Sequence, residues 1–366
     1  MWLTIFPDLE NIHLPKDVVY FGNTSSKLLG MQHAILAYDN DIDASEFLNA
    51  GTKILFMKRI FGRALLDVAI WFIVSNYRPK VVHLFHFCRS SCLIAFYLKL
   101  FCLLNSSCFQ IILKLDAGTS TLRGYKMSLF FLCSIFFDII TIESKKIYES
   151  VLKSKVSKKV VLVPNGILVG EVPQILDNTV KENSIVVMSR YGTYQKNTEQ
   201  LFRVAPVILN KYPNWTIHCF GRVETNFKDQ IQKFLLKNNN LKSRIIFYGF
   251  APRETFEEKL ISSKIYLNTS RWEGFSAAFL DARAFGLKIV SSEVNALDEL
   301  FEDFQCGYSF PVDCDDKLLV ALEAALNDDQ YFTSKEYKDN AEQFVSQYSW
   351  DQVVAPLVNK ISLNYG

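Results

Sequence analysis

The chain has 366 residues, of which 49% are hydrophobic and 21% charged, and its formal net charge is +2 at pH 7. This length predicts two domains, and the apolar fraction is sufficient for two hydrophobic cores. The nearly neutral charge argues against a nucleic-acid-binding protein, which usually has a strongly basic surface.

The first half of the chain alternates between strand-like and helix-like stretches. Strands are expected at MWLTIFP (1–7), DVVYFG (17–22), VVHLFHF (81–87), FQIILKLD (109–116), FFDIITIES (136–144) and KVVLVPN (159–165). A helix is expected near 27–37, and 53–58 fits either a strand or the start of a helix. Continuous apolar strands that alternate with helices indicate a parallel sheet covered on both faces.

Two longer apolar runs, 91–104 and 127–142, are predicted as buried helices, the second continuing into a strand. Both are shorter than the roughly 18–20 residues that span a bilayer. The stretch 54–74 mixes basic and aromatic residues, so a core helix is preferred there, with a helix on a membrane surface as the alternative. Six lysines within 145–159 are interpreted as a solvated surface, with attraction to anionic lipids as the alternative.

The second half of the chain begins with a predicted linker. The expected organisation is a first domain over 1–167, a polar linker over 168–183, a second alternating domain over 184–348 and a terminal helix over 349–366 that is interrupted near Pro356. Eight cysteines lie mostly in apolar runs, and the N-terminus lacks a leader pattern. A cytoplasmic protein with reduced thiols is therefore expected.

The most informative segment is IYLNTSRWEGFSAAFLDARAFG (265–286), a predicted strand–loop–helix unit. The first N–H groups of its helix lack intrahelical acceptors and lie at the positive helix end, which favours a phosphate. Gly274 permits close approach of a ligand, and the Ser276 hydroxyl suits a helix cap or an anion. Glu273 before the helix and Asp281 within it place two carboxylates around one ligand. This combination suits a sugar nucleotide, although ordinary helix capping accounts for the same pattern.

The segment resembles the signature of retaining glycosyltransferases of the GT-B fold, the group-one family that includes many bacterial polysaccharide enzymes. The family motif is Glu, seven residues, Glu, usually opening Glu-Gly-Phe-Gly. Here Asp281 stands at the second acidic position and Ser276 at the last glycine. Further segments resemble the family at 160–167, 184–208, 215–223 and 244–250. The resemblance covers most of the second half of the chain and is weaker in the first.

The resemblance implies an α/β fold of two doubly wound Rossmann-like domains that face each other across a cleft, with the terminal helix packing back on the first domain. It implies that Arg190 and Lys196 hold the donor diphosphate; a surface pair of cations is the alternative. Asp281 would bind the ribose hydroxyls, and Glu273 would act as the catalytic carboxylate that contacts the transferred sugar. Backbone groups at 274–276, that is Gly274, Phe275 and Ser276, would complete the donor site.

Four further residues are candidates on weaker grounds. Phe250 follows a predicted strand and would contact the nucleotide base, or else pack in the core. Asp116 ends the strand at 109–116, where an acid would orient a reacting sugar hydroxyl or cap a turn. His86 and Arg123 are candidates for the acceptor side, with a structural histidine as the alternative for His86.

The leading hypothesis is a retaining hexosyltransferase that uses a UDP- or GDP-sugar. Its acceptor would be a glycan such as a lipid-linked intermediate of surface polysaccharide, lipopolysaccharide or O-antigen synthesis at the inner face of the cell membrane. No metal or other cofactor and no nucleic-acid partner are expected. A sugar-nucleotide epimerase and a non-catalytic sugar-nucleotide-binding subunit remain as alternatives. A nicotinamide dehydrogenase is disfavoured because no Gly-x-Gly-x-x-Gly follows a strand.

Overall fold

The structure is a computed structural model, and it describes residues 1–14, 16–42, 51–75, 77–105, 109–115, 125–167, 180–294, 297, 306–333 and 335–363. The chain divides into two compact units, Met1–Gly166 together with Ser349–Gly366, and Ile167–Tyr348. Within the described residues each unit is built on one parallel sheet with helices between the strands.

The first unit contains a sheet of seven described strands in the order β3-β2-β1-β4-β5-β6-β7. The strands are β1 (Trp2–Ile5), β2 (His33–Tyr38), β3 (Thr52–Met57), β4 (Val81–Phe85), β5 (Gln110–Leu115), β6 (Ile139–Ile142) and β7 (Val160–Leu162). The helices are α1 (Asp17–Leu28), α2 (Ala64–Val74), α3 (Arg89–Leu104), α4 (Tyr125–Cys133), α5 (Lys145–Leu152) and, from the end of the chain, α13 (Trp350–Leu363).

The second unit contains a sheet of six described strands in the order β10-β9-β8-β11-β12-β13. The strands are β8 (Glu182–Met188), β9 (Thr216–Phe220), β10 (Ile245–Gly249), β11 (Ser263–Asn268), β12 (Lys288–Ser292) and β13 (Gly307–Phe310). The helices are α6 (Thr198–Lys211), α7 (Lys228–Lys237), α8 (Arg253–Ser262), α9 (Ala277–Ala284), α10 (Asp315–Leu326), α11 (Gln330–Thr333) and α12 (Lys335–Gln347).

Two predictions near the N-terminus are wrong. The stretch 17–22 is the start of helix α1, and the helix expected near 27–37 gives way to strand β2. Helix α1 resembles a strand in sequence because it is buried between the sheet and α13 and so carries an unbroken apolar run. The packing is tight at Gly22, where a Cβ atom would lie 2.3 Å from the His33 ring.

Other predictions from the sequence have mixed outcomes. The helix predicted at 91–104 is confirmed as α3, and 127–142 contains α4 followed by β6, but neither helix is buried throughout, since Leu103 of α3 is 82% exposed and Leu132 of α4 is 66% exposed. The stretch 54–74 is not one helix but strand β3 followed by α2. The terminal helix α13 is not interrupted at Pro356, which lies inside it. Most of the expected linker, 168–179, lies outside the described residues.

Candidate functional site

The candidate site lies where the second sheet reverses its winding direction. Strands β8 and β11 are parallel neighbours, with Ile185 opposite Ile265. From β8 the chain proceeds to β9 on one side, whereas from β11 it proceeds to β12 on the other. The loops after β8 and β11 therefore diverge, and this topological switch point leaves a crevice outside the carboxyl ends of the strands.

Hydrogen bonds join these two loops to each other. The Arg271 N–H donates to the Gln195 carbonyl at 2.7 Å, and the Gln195 side-chain amide donates to the Trp272 carbonyl at 2.9 Å. The Thr269 hydroxyl donates to the Lys196 carbonyl at 3.1 Å. Because these three hydrogen bonds join the two loops, the side chains that the loops carry have defined positions.

Lys196 and Glu273 meet between the two loops. The Lys196 Nζ lies 2.5 Å from the Glu273 Oε1, although 77 residues separate them in sequence. Their side chains are 21% and 8% exposed. A cation and a carboxylate at the mouth of a crevice can bind an anionic group and a hydroxyl of the same ligand.

Asp281, like Glu273, lies in the segment that follows strand β11. It is the fifth residue of α9 and is partly buried. Burial, followed by the negative charges of Glu273 and Asp281, raises the pKa of the buried Tyr266 hydroxyl well above its ordinary value. Both carboxylates therefore act on one phenol of β11, as expected for acids that bracket a single site.

The loop from Glu273 to α9 can bind a ligand through its backbone groups rather than through the side chains of Phe275 and Ser276. Ser276 precedes the helix in an extended conformation (φ −70°, ψ 121°), and its side chain makes no capping hydrogen bond. Phe275 is 3% exposed and stacks on Tyr348 at 5.8 Å between ring centroids. Any role of Phe275 in binding a ligand therefore belongs to its main-chain groups.

Arg190 is at the carboxyl end of β8 and is held by a glutamate that the sequence analysis missed. Its Nε donates to the Glu224 Oε1 at 2.5 Å. The hydrogen bond from Arg190 holds the pKa of Glu224 below its ordinary value. The loops after β8 and β9 are joined by main-chain bonds from Tyr191 to the Arg222 carbonyl (2.8 Å) and from Glu224 to the Tyr191 carbonyl (3.0 Å). The adjacency of β8 and β9, which the sequence does not display, brings this pair together.

Two residues after β9 and β10 complete the edge of the sheet. Gly221 has φ +119°, and a Cβ atom there would lie 2.1 Å from the Ser189 carbonyl oxygen, so only glycine fits. Phe250 follows β10 and is 71% exposed. The alternative of core packing for Phe250 is therefore excluded.

The acceptor-side candidates are only partly described. Asp116 and Arg123 lie outside the described residues. His86 directly follows β4, is exposed, and has the left-handed φ of 59°. Because β1 and β4 are the switch-point strands of the first sheet, His86 lies at the corresponding edge of its own unit.

A buried lysine close to the same edge of the first sheet was missed by the sequence analysis. Lys114 lies in β5, and its side chain is 0% exposed. Its Nζ donates to Asp17 at 2.7 Å, to Asn165 at 3.0 Å and to Glu143. Burial alone would raise the pKa of Asp17, but the charge and hydrogen bond of Lys114 outweigh it and lower that pKa. The mostly apolar sequence of β5 does not indicate that Lys114 forms buried ion pairs.

No group of three or more histidine, cysteine, aspartate or glutamate side chains is arranged to hold a metal ion among the residues the structure describes.

Residues 171–344 match the family model described as glycosyl transferases group 1. Among curated proteins, the chain is 27% identical over 209 residues to a phosphatidylinositol N-acetylglucosaminyltransferase component of Arabidopsis thaliana, covering 56% of this chain and 44% of that protein. It is 25% identical over 200 residues to phosphatidyl-myo-inositol mannosyltransferase of Mycolicibacterium smegmatis, covering 54% and 50%. The chain thus spans about half the length of these relatives.

Among solved structures, the chain is similar to Anabaena HepE in complex with UDP-glucose. The TM-score is 0.74 at 11% sequence identity, and the alignment covers 100% of this chain and 98% of HepE. At this identity the likeness shows the fold, which is the α/β fold of GT-B glycosyltransferases. The predicted α/β class with two Rossmann-like domains is confirmed.

Proposed function

We propose, from the group 1 glycosyltransferase family to which residues 171–344 belong, that this chain transfers a sugar from a nucleotide-sugar donor to a glycan acceptor with retention of configuration. The observation that carries the proposal is the contact between Lys196 and Glu273 at the switch point of the second sheet. This contact supports the proposal because a cation suited to a phosphate lies beside a carboxylate suited to the attached sugar.

The proposed donor is a UDP- or GDP-sugar. Its diphosphate replaces the carboxylates that now neutralise Arg190 and Lys196. The diphosphate also accepts hydrogen bonds from the backbone N–H groups of the loop at 274–276. Asp281 accepts from the ribose hydroxyls, and the exposed ring of Phe250 lies against the base. HepE, whose structure contains UDP-glucose, supports a uridine donor.

The proposed reaction replaces one bond to the anomeric carbon with another on the same face of the sugar. The bond from C1 to the phosphate oxygen breaks, and its electron pair leaves with the nucleoside diphosphate. The acceptor hydroxyl oxygen bonds to C1, and its proton passes to the departing phosphate. Lys196 and Arg190 stabilise the charge that accumulates on that phosphate, and Glu273 stabilises the positive charge on the sugar. These side chains and backbone dipoles supply the electrostatic stabilisation, so we propose no metal and no other cofactor.

The proposed acceptor is lipid-linked, as in surface polysaccharide or O-antigen synthesis. The names of the two curated relatives assign them phosphatidylinositol and phosphatidyl-myo-inositol, which are lipids. Asp116, His86 and Arg123 are the proposed contacts of the acceptor, on the evidence of their places in the sequence.

A product assay tests the proposal. The protein is incubated with UDP- and GDP-sugars, with and without a bacterial lipid extract, and the products are analysed by mass spectrometry and NMR. Transfer to lipid with the donor's anomeric configuration supports the proposal. Epimerised nucleotide sugar without acceptor would indicate an epimerase instead. Donor binding that raises the melting temperature without any transfer would indicate a non-catalytic binding protein.

Replacing Lys196 with alanine is expected to weaken donor binding. Loss of a charge-assisted hydrogen bond to phosphate corresponds to about 1.5–3 kcal/mol, or roughly a 10- to 150-fold rise in the dissociation constant of UDP. Isothermal titration calorimetry measures it. The control is Lys233→Ala on the exposed face of α7. Equal UDP affinity in both variants would contradict the assignment of Lys196.

An exposed apolar face on the first unit supports the proposed membrane contact. It is defined by residues of α3, α4 and the turn after α4, each at least 41% exposed: Leu93, Phe96, Leu100, Leu103, Leu104, Leu129, Leu132 and Ile135. The α3 members recur at intervals of three, four and one residues, so they lie on one side of that helix. The opposite side of α3 is already buried in the core. A contiguous exposed patch of this kind marks an interaction surface.

Lysines border the apolar face. The Lys159 Nζ donates to the carbonyls of Ser134 (3.1 Å) and Phe137 (2.8 Å), which flank Ile135. This contact fixes the lysine-rich segment 153–159 beside the face. Apolar side chains beside exposed lysines suit the headgroup boundary of an anionic bilayer. No helix in the described part of the chain is long and apolar enough to span a membrane.

The apolar face is expected to bind anionic vesicles. Leu103, which is 82% exposed, is replaced by glutamate, and sedimentation with phosphatidylglycerol-containing vesicles is measured. Binding should fall about tenfold because a charge replaces a leucine side chain that the bilayer would otherwise bury. The matched control is Leu236→Glu, at a 74% exposed position in the second unit. Equal sedimentation of the two variants, or equal binding to uncharged vesicles, would refute anionic membrane docking by this face.

A further inference from the structure

Two exposed aromatic residues lie close in sequence to Lys196 and Glu273. Tyr194, two residues before Lys196, is 71% exposed, and Trp272, next to Glu273, is 43% exposed. Their ring centroids are 5.9 Å apart, and the ring planes are inclined by 49°. The two rings come from the loops after β8 and β11, the same loops that form the switch-point crevice.

Arg271 packs against the Tyr194 ring and binds the Tyr194 backbone. Its guanidinium carbon lies 4.1 Å from the Tyr194 ring centroid, and its Nη1 donates to the Tyr194 carbonyl at 2.6 Å. The other side of the guanidinium donates from Nε to Asp313 at 3.0 Å. The backbone of Trp272 is fixed by the Gln195 amide at 2.9 Å. The Tyr194 ring is therefore anchored although it is exposed, and the backbone that carries the Trp272 ring is fixed next to it.

The anchor also depends on Asn197 and Asp313. Both have left-handed backbones, with φ of 51° and 61°, a conformation that asparagine and aspartate adopt more readily than other non-glycine residues. The Asn197 side-chain amide donates to Asp313 at 2.9 Å, and Asp313 in turn accepts from Arg271. These contacts fix the position of Arg271 against the exposed Tyr194 ring.

We propose that Tyr194 and Trp272 form a stacking platform for a pyranose ring, and this inference rests on the proposed function. A pyranose has an apolar face of C–H groups, which carry partial positive charge, and a rim of hydroxyls. The C–H face packs against the negative face of an aromatic ring, while the hydroxyls remain available to Glu273 and to water. The ring belongs either to the sugar being transferred or to the terminal sugar of the acceptor.

The experiment uses the full chain with Trp272→Ala, Tyr194→Ala and the ring-preserving Trp272→Phe. The matched control is Leu236→Ala, an exposed apolar residue far along the sequence from both loops. Titration calorimetry measures the dissociation constants of UDP and UDP-glucose, and saturation-transfer NMR measures contact with methyl glucoside. Melting temperatures identify any variant that does not fold.

If the platform binds the transferred sugar, each alanine substitution should raise the dissociation constant of UDP-glucose by about threefold to tenfold and leave that of free UDP unchanged. For a platform that binds the acceptor sugar, UDP-glucose binding is unchanged and the contact with methyl glucoside is lost. The Trp272→Phe variant keeps an aromatic ring, so it should retain most of the wild-type affinity for UDP-glucose in the first case and most of the contact with methyl glucoside in the second. If folded alanine variants bind all three ligands as the wild type does, or lose UDP itself, the platform is refuted. These binding measurements need no catalytic turnover, so a chain that transfers no sugar would refute the proposed function separately.

Discussion

Replacing Glu273 with glutamine is expected to reduce kcat about 10²- to 10³-fold, the cost typical of removing one electrostatic contact to a transition state. Glutamine keeps the shape of the side chain but removes the negative charge beside the reacting sugar. The donor KM should not rise, because Lys196 loses its present partner and its charge is fully available to the diphosphate. A lower kcat with an unchanged KM identifies an interaction that acts only in the transition state.

Steady-state kinetics with the donor and acceptor found in the product assay measure this effect. The matched control is Glu258→Gln on α8, where the side chain is 73% exposed. Glu258→Gln should retain wild-type kcat. A Glu273→Gln enzyme with kcat close to the control, and with an unchanged melting temperature, would remove Glu273 from the catalytic group.

Much of the fold follows from local sequence. Strands β4, β5 and β6 were predicted because β-branched and aromatic residues fill them and they end at polar residues. Helix α1 was missed because burial on several sides removes the helical alternation between polar and apolar residues. The local sequence therefore indicates burial reliably, but it does not separate a buried helix from a strand where both are apolar.

The candidate site divides in the same way. Lys196 and Glu273 were named from a motif that the chain shares with a family, and the structure brings them into contact. Glu224 was missed because its link to Arg190 depends on the adjacency of β8 and β9, a property of strand order. Trp272 and Tyr194 were missed because an exposed aromatic residue cannot be told from a buried one by its letter in the sequence.

The cations at the two sheet edges differ in exposure, and this difference distinguishes cations that can bind a ligand from one that stabilises the fold. Arg190 is 57% exposed and Lys196 21%, so an anionic ligand can replace their carboxylate partners. Lys114 is 0% exposed and is surrounded by groups of its own unit. Its ion pairs with Asp17 and Glu143 join β5 to α1 and to the end of β6. We therefore expect Lys114 to act on stability rather than on ligand binding.

Replacing Lys114 with methionine is expected to destabilise the protein by about 3–5 kcal/mol, because it leaves the buried Glu143 and the partly buried Asp17 without their shared cation. Urea unfolding, followed by circular dichroism, measures this loss. The matched control is Lys99→Met, which breaks a half-exposed ion pair with Asp138 and should cost no more than about 1 kcal/mol. Comparable losses in both variants would show that the Lys114 cluster is no more important than a surface pair.

The pH dependence distinguishes lost charge pairing from lost packing. In the wild type the pKa of Asp17 is lowered on folding, so its contribution to stability is present above the unfolded pKa and is lost as the pH falls through the folded pKa. Without Lys114, burial instead favours the protonated carboxyl, and protonation removes the unpaired charge. The stability difference between wild type and Lys114→Met should therefore shrink between about pH 7 and about pH 4. A difference that stays constant over this interval would assign the loss to packing of the lysine stem instead.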